Sequence, residues 1–189
     1  MPSRREQYFK NYVLEQVPDK SKKGYKNVYK YIGDYYSWNV TDKCLRNQKL
    51  LLTACEIASI VFFFAASTRP VKLNRNLLVI LPAMLSLCCW LFEILSMGTF
   101  CLVKQPMKED DYQKIIRTLP ASSLLRACFL AVAALASTVI SFTEKAGAMG
   151  ILTAFCYMIS CLFPLVIRQL FSKFSKESGV IPGTSHIQK

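Results

Sequence analysis

Three charged residues stand inside long apolar runs of this chain: Glu56, Glu93 and Arg126. A lone charge near the middle of a bilayer costs on the order of 3 kcal/mol on insertion scales, so such residues sit beside partners or water. Two carboxylates and one guanidinium can do two kinds of chemistry. They can form an ion-pair cluster that fixes how helices pack. They can also hold a proton or a cation, because two neighbouring acids resist being ionised together.

Spacing puts the three at a common depth. Glu56 follows Lys49 by a helical distance of about 10 Å, Glu93 precedes Thr99 by about 9 Å, and Arg126 follows Ser122 by about 6 Å. If successive helices run in opposite directions, all three fall on the same side of the membrane. Each acid also belongs to a polar stripe. Ser86, Cys89 and Ser96 share a helix face with Glu93, and Thr53 and Ser59 share one with Glu56. Arg168, near the end of the last apolar run, is placed to snorkel towards the boundary.

The elements that must position these charges are apolar runs over residues 50–67, 77–103, 124–142 and 146–171. Each is near or above the ~20 residues that cross a hydrocarbon core as a helix. None alternates as a barrel strand does. The 189 residues are 52% hydrophobic, with charges collected outside the runs. The fold class expected is an all-α integral membrane protein. Four transmembrane helices form two antiparallel hairpins over 49–171. Residues 1–48 make a short cytoplasmic helical and aromatic region, and 172–189 a disordered cytoplasmic tail. The first apolar run is expected to serve as the targeting signal, since it starts too late for a secretory leader.

The net charge of +12 would suggest nucleic acid in a soluble chain. In a membrane protein the positive-inside bias explains it better. All but four of the 24 Lys and Arg lie on one side of the expected topology, the exceptions being Arg69, Lys72, Arg75 and Lys145. Both termini are therefore expected in the cytoplasm, with the plasma membrane as the location. The loop 68–76, with three basic residues and no acid, runs against this assignment.

Before the first run, residues 4–16 predict a short helix with Phe9, Tyr12 and Val13 on its apolar side. Pro18 to Gly24 then form a Lys-rich turn. Tyr25, Tyr29, Tyr31, Tyr35, Tyr36 and Trp38 make the most aromatic stretch of the chain. Tyr and Trp favour the membrane–water boundary, so these six are expected to anchor the region on lipid headgroups. Residues 107–117 predict a separate amphipathic turn of helix, acids first and bases last.

The third run carries a seam of small residues, Ala127, Ala131, Ala134, Thr138 and Ser141, which lets helices approach closely within the bundle or across a homo-oligomer. Gly147, Gly150 and Ala154 open the fourth in the same manner. Pro82 and Pro164 are expected to kink their helices.

Other chemistry is scarce. The lone histidine, His186, lies in the tail, which leaves no histidine base or histidine metal site in the membrane. Eight cysteines include no C-x-x-C pair and are expected as free thiols. No phosphate-binding glycine loop is present. The Asn39-Val40-Thr41 acceptor tripeptide falls on the cytoplasmic side. No cofactor, no metal and no nucleic-acid partner are expected. The partners expected are the bilayer and a membrane protein or a second copy of the chain. The function expected is a non-enzymatic accessory, assembly or regulatory membrane component. The alternative is a small oligomeric transporter or channel with a proton- or cation-linked site at Glu56, Glu93 and Arg126. A lipid-acting enzyme has the least support.

Overall fold

The computed structural model describes residues 11–18 and 24–183. The chain runs β1 (Tyr12–Pro18), β2 (Tyr25–Tyr31), β3 (Tyr35–Trp38), α1 (Asp42–Ser67), a short 3-10 turn (Lys72–Arg75), α2 (Leu77–Leu102), β4 (Met107–Lys108), α3 (Glu109–Thr143), α4 (Gly147–Glu177) and β5 (Val180–Gly183). All four helices are long and apolar enough to cross a membrane. At 1.5 Å per residue, α1 and α2 span about 39 Å and α3 about 52 Å. Their outward faces carry large apolar side chains such as Ile57, Val61, Phe64, Leu81, Phe92, Leu135 and Phe155, as contact with lipid requires.

Local chemistry sets the helix ends. Thr41 Oγ1 accepts from the Cys44 N–H at 3.4 Å and caps α1. That structural task falls on the Thr of the acceptor tripeptide. At the other end of α1, Asn74 Nδ2 donates to the carbonyls of Ala66, Ser67 and Arg69 at 2.8, 3.2 and 3.0 Å. Asn76 Oδ1 caps α2 through the Leu78 N–H. Glu109, Asp110 and Asp111 fill the first turn of α3, where the helix dipole favours acids. Lys49 Nζ bonds the Cys101 carbonyl at 2.9 Å near the end of α2, where a cation suits the dipole.

The packing order differs from two self-contained hairpins. Helix α3 lies against both α2 and α4, and α4 also holds α1, whereas α1 and α2 barely touch. The contacts of α1 are mainly with α4 and those of α2 with α3, and Ile57, Ile60, Trp90 and Ile94 line the gap left between them. Gly150 leaves room where α4 starts beside α3: a Cβ there would lie 2.5 Å from Ala146 Cβ and 3.3 Å from Ser141 Oγ. Pro82 and Pro164 are accommodated inside helices that continue through them.

Strand β3 pairs antiparallel with both β4 and β5, gathering the start of α1, the α2–α3 connection and the end of α4 at one end of the bundle. Beneath this sheet Trp38 packs among Phe100, Tyr112 and Phe174. Of the stretch 172–189 expected to be a disordered tail, the part to Glu177 is helical and Val180–Gly183 pair with β3 as β5, while 184–189 lie outside the described residues. Residues 107–117 are likewise not a separate turn. Met107–Lys108 add to the sheet, and the rest is continuous with α3 through Pro120.

Residues 12–16 of the helix expected over 4–16 belong to strand β1, and residues 4–10 lie outside the described residues. β1 and β2 make a seven-pair antiparallel hairpin. Its alternation puts Tyr12, Leu14, Tyr29 and Tyr31 on one face and Val13, Val17, Val28 and Lys30 on the other. Lys108 ties the hairpin down, with Nζ 3.3 Å from Tyr12 Oη and over the Tyr12 and Tyr31 rings. That hydrogen bond pushes the Lys108 pKa up. Phe9 and His186 lie outside the described residues.

Candidate functional site

Two apolar clusters fill the bundle. One, near the sheet, includes Leu52, Met97, Leu119 and Ile167. The other, at the far end, includes Phe63, Ala83, Leu130 and Tyr157. A buried polar layer lies between them, one stripe from each helix: Glu56 and Ser59, Glu93, Ser123 and Arg126, and Ser160. Leu52 and Phe63 each lie four residues, about one turn, from a member of the α1 stripe, and Leu119 and Leu130 four from the α3 stripe.

The structure brings Glu56, Glu93 and Arg126 into direct contact. Arg126 Nη1 donates to Glu56 Oε1 at 2.6 Å and to Glu93 Oε2 at 2.8 Å. Its Nη2 donates to Ser59 Oγ at 2.8 Å. The guanidinium is 2% exposed and Glu93 is fully buried. Ser123 Oγ donates to the remaining oxygen, Glu93 Oε1. Glu93 therefore has both oxygens partnered. Ser59 passes the network to α4: its Oγ donates to the Ser160 carbonyl at 3.0 Å, and Ser160 Oγ donates to the Ser59 carbonyl at 2.9 Å. Four helices thus meet through one guanidinium and three serines.

Glu56 is the exception in this layer. It is only 6% exposed, yet its Oε2 has no hydrogen-bond partner. It lines a cleft of about 400 Å³ between α1 and α2, where the two helices stand apart. The walls are apolar, from Ile57, Ile60, Ile94 and Met97, with Trp90 beside the acid. Trp90 Nε1 is near Glu56 but is also buried without a partner. Two acids facing one guanidinium leave one negative charge in excess when both are ionised.

Ser123 and Ser160 did not stand out as site residues in the sequence. Serines are common in these spans, and Ser96, on the stripe of Glu93, bonds only the Phe92 carbonyl of its own helix. A signal was available in their depth, since both fall at the level of the charges. Arg168 is exposed and does not join the cluster.

The six aromatic residues before α1 separate into different roles. Tyr25 and Tyr29 are exposed. Tyr31 stacks edge-on against Tyr12 and Tyr35, donates to the Asp34 carbonyl and accepts from the Glu109 N–H. Burial, its largest influence, pushes the Tyr31 hydroxyl pKa up. Tyr36 lies flat on Tyr112 with ring centroids 4.8 Å apart. Trp38 is 4% exposed and so packs inside the bundle end, not on a headgroup surface. Of the small-residue seam, Ala127, Ala134 and Ser141 are buried, and Ala131 and Thr138 partly so. The eight cysteines are free thiols.

No family model, curated protein or solved structure matches this chain. Fold and site together describe a multi-pass helical membrane protein with a charged layer inside its bundle.

Proposed function

We propose that the chain is a non-enzymatic membrane protein whose bundle exchanges a proton or a cation at Glu56, as a small transporter or channel does. The observation that carries this reading is the unpartnered Glu56 Oε2, buried at the edge of an open cleft. The charged groups facing Glu56 are Glu93 from α2 and Arg126 from α3, while α4 contributes Ser160 by way of Ser59. Glu93 has spent both its oxygens on Arg126 and Ser123, so an incoming positive charge has one place to go. A proton on Oε2 or a cation beside it brings the layer to neutrality.

In this reading successive helices run in opposite directions across the bilayer, with both termini in the cytoplasm. The basic residues support that orientation: all but Arg69, Lys72, Arg75 and Lys145 belong to the sequence segments 1–49, 101–121 and 168–189 or are Arg126 itself. Purified protein in liposomes loaded with a pH-sensitive dye tests the function. Wild-type vesicles should dissipate an imposed pH gradient and Glu56→Gln vesicles should not. Equal rates for Glu56→Gln and wild type, or for wild type and empty vesicles, contradict it.

A second reading, an accessory or assembly component, draws on a different observation. The β1–β2 hairpin exposes Val13, Val17 and Val28 on one face of short strands with free edges, a surface suited to a membrane headgroup layer or a partner protein.

A further inference from the structure

We infer that the cleft between α1 and α2 is a binding site for an amphiphilic organic cation, a protonated amine carried on an apolar body, that enters sideways from the lipid. The inference rests on the exchange at Glu56 proposed above and names what exchanges with the proton.

Four features of the cleft select this chemistry. Its volume, about 400 Å³, suits a small organic molecule. Its walls are mostly apolar, from Ile57, Ile60, Ile94 and Met97, with Thr53 and Cys101 at one end, and suit an apolar body. At one point the lining includes Glu56, more than nine-tenths buried, whose buried Oε2 lacks a donor. Beside it stands the Trp90 indole, and an aromatic face attracts a desolvated ammonium.

Charge decides between an amine and a neutral donor. A small swing of Trp90 would give Oε2 a hydrogen bond, but an indole brings no positive charge. With Glu56 and Glu93 both ionised against Arg126 alone, the layer still holds one charge too many. An alcohol or an amide leaves that excess in place, and an anion adds to it. An ammonium removes it and donates to Oε2 in the same contact. A lipid acyl chain fills the walls and leaves the carboxylate unmet.

Access is lateral. Helices α1 and α2 make little contact, so the cleft opens towards the surrounding lipid between them. An amphiphilic amine already concentrated in the bilayer reaches Glu56 without crossing the cap, where Lys49 closes the end of α2. The amine and the proton compete for one oxygen. When a protonated amine binds to protonated Glu56, the O–H bond of the carboxylic acid breaks and its proton leaves to water. One proton is released per amine bound.

Calorimetric titration of the full chain in nanodiscs tests this, using octylamine, octanol and octanoate, with empty nanodiscs as the background. The account expects saturable one-to-one binding of octylamine above background, with proton release, and none for octanol or octanoate. Glu56→Gln should weaken octylamine at least tenfold. So should Gly98→Phe, since a Cβ at Gly98 meets open space and a ring there fills the cleft. Thermal unfolding confirms that both variants are folded, and an unfolded Glu56→Gln is replaced by Glu56→Asp, which should shorten the reach and weaken binding. Octanol binding as well as octylamine would make the cleft a lipid-chain groove and overturn the inference. Octylamine binding that ignores both substitutions would overturn it too. If octylamine fails to bind while Glu56-dependent proton flux persists in liposomes, only the amine is wrong. Loss of that flux in the wild type removes the exchange reading itself.

Discussion

Ser59 on α1 and Ser160 on α4 exchange hydrogen bonds, each hydroxyl donating to the other's backbone carbonyl at 3.0 and 2.9 Å. The pair does more than join two helices. Ser59 Oγ also accepts from Arg126 Nη2, so the serine that clamps α4 holds the guanidinium towards the two acids.

That asymmetry predicts unequal losses. Ser160→Ala removes one interhelical bond and should cost about 0.5–1 kcal/mol, in line with hydrogen bonds measured between membrane helices. Ser59→Ala also strands a buried donor of Arg126 and should cost a further ~1–3 kcal/mol. Thermal unfolding in detergent compares the two, and a Ser160→Ala loss equal to or above that of Ser59→Ala contradicts the arrangement.

Arg126→Leu should destabilise the bundle by about 3–5 kcal/mol, because it leaves two carboxylates buried without a cation. Adding Glu93→Gln should recover part of that loss, since the removed charge no longer needs a partner. The two effects must then be non-additive in a double-mutant cycle. Simple additivity would mean that the residues do not act as one site.

Gly150→Leu should drive α3 and α4 apart. A Cβ at this position would lie 2.5 Å from Ala146 Cβ, so the start of α4 must shift, and 3.3 Å from Ser141 Oγ of α3. The overpacking should cost about 1–3 kcal/mol. Gly147→Ala carries a different penalty, from its φ of +67°, and is read by the same unfolding measurement.

The aromatic region should divide by position. Trp38→Ala opens a hole among Phe100, Tyr112 and Phe174 and should cost about 3–5 kcal/mol, the range for large aromatics removed from a core. Tyr25→Ser, on the exposed hairpin, should change stability by less than about 0.5 kcal/mol. Equal losses at the two positions would contradict the burial of Trp38.

The spans were legible because unbroken apolar runs leave few alternatives in lipid. The common depth of Glu56, Glu93 and Arg126 was legible because helical rise converts sequence distance into depth. Orientation around each helix was readable too, from Ser59 beside Glu56. What the sequence hid is non-local. Nothing in Tyr12–Pro18 alone distinguishes a strand from an amphipathic turn until its partner Tyr25–Tyr31 is known. Val180–Gly183 becomes a strand only because β3 offers it an edge. Adjacent helices joined by a short loop were expected to pack, and the separation of α1 from α2 follows from α1 packing on α4 and α2 on α3, which no local pattern reveals. The cleft, and with it the unpartnered oxygen of Glu56, follows from that separation.

Infrared difference spectroscopy of the protein in lipid tests most directly whether Glu56 exchanges a proton. A buried protonated carboxyl gives a C=O stretch apart from the carboxylate bands. In the wild type this band should diminish as pH rises and the proton leaves, and Glu56→Gln should abolish the change. A titrating band that survives intact in Glu56→Gln, or a wild type in which no carboxyl band responds to pH, would contradict the account.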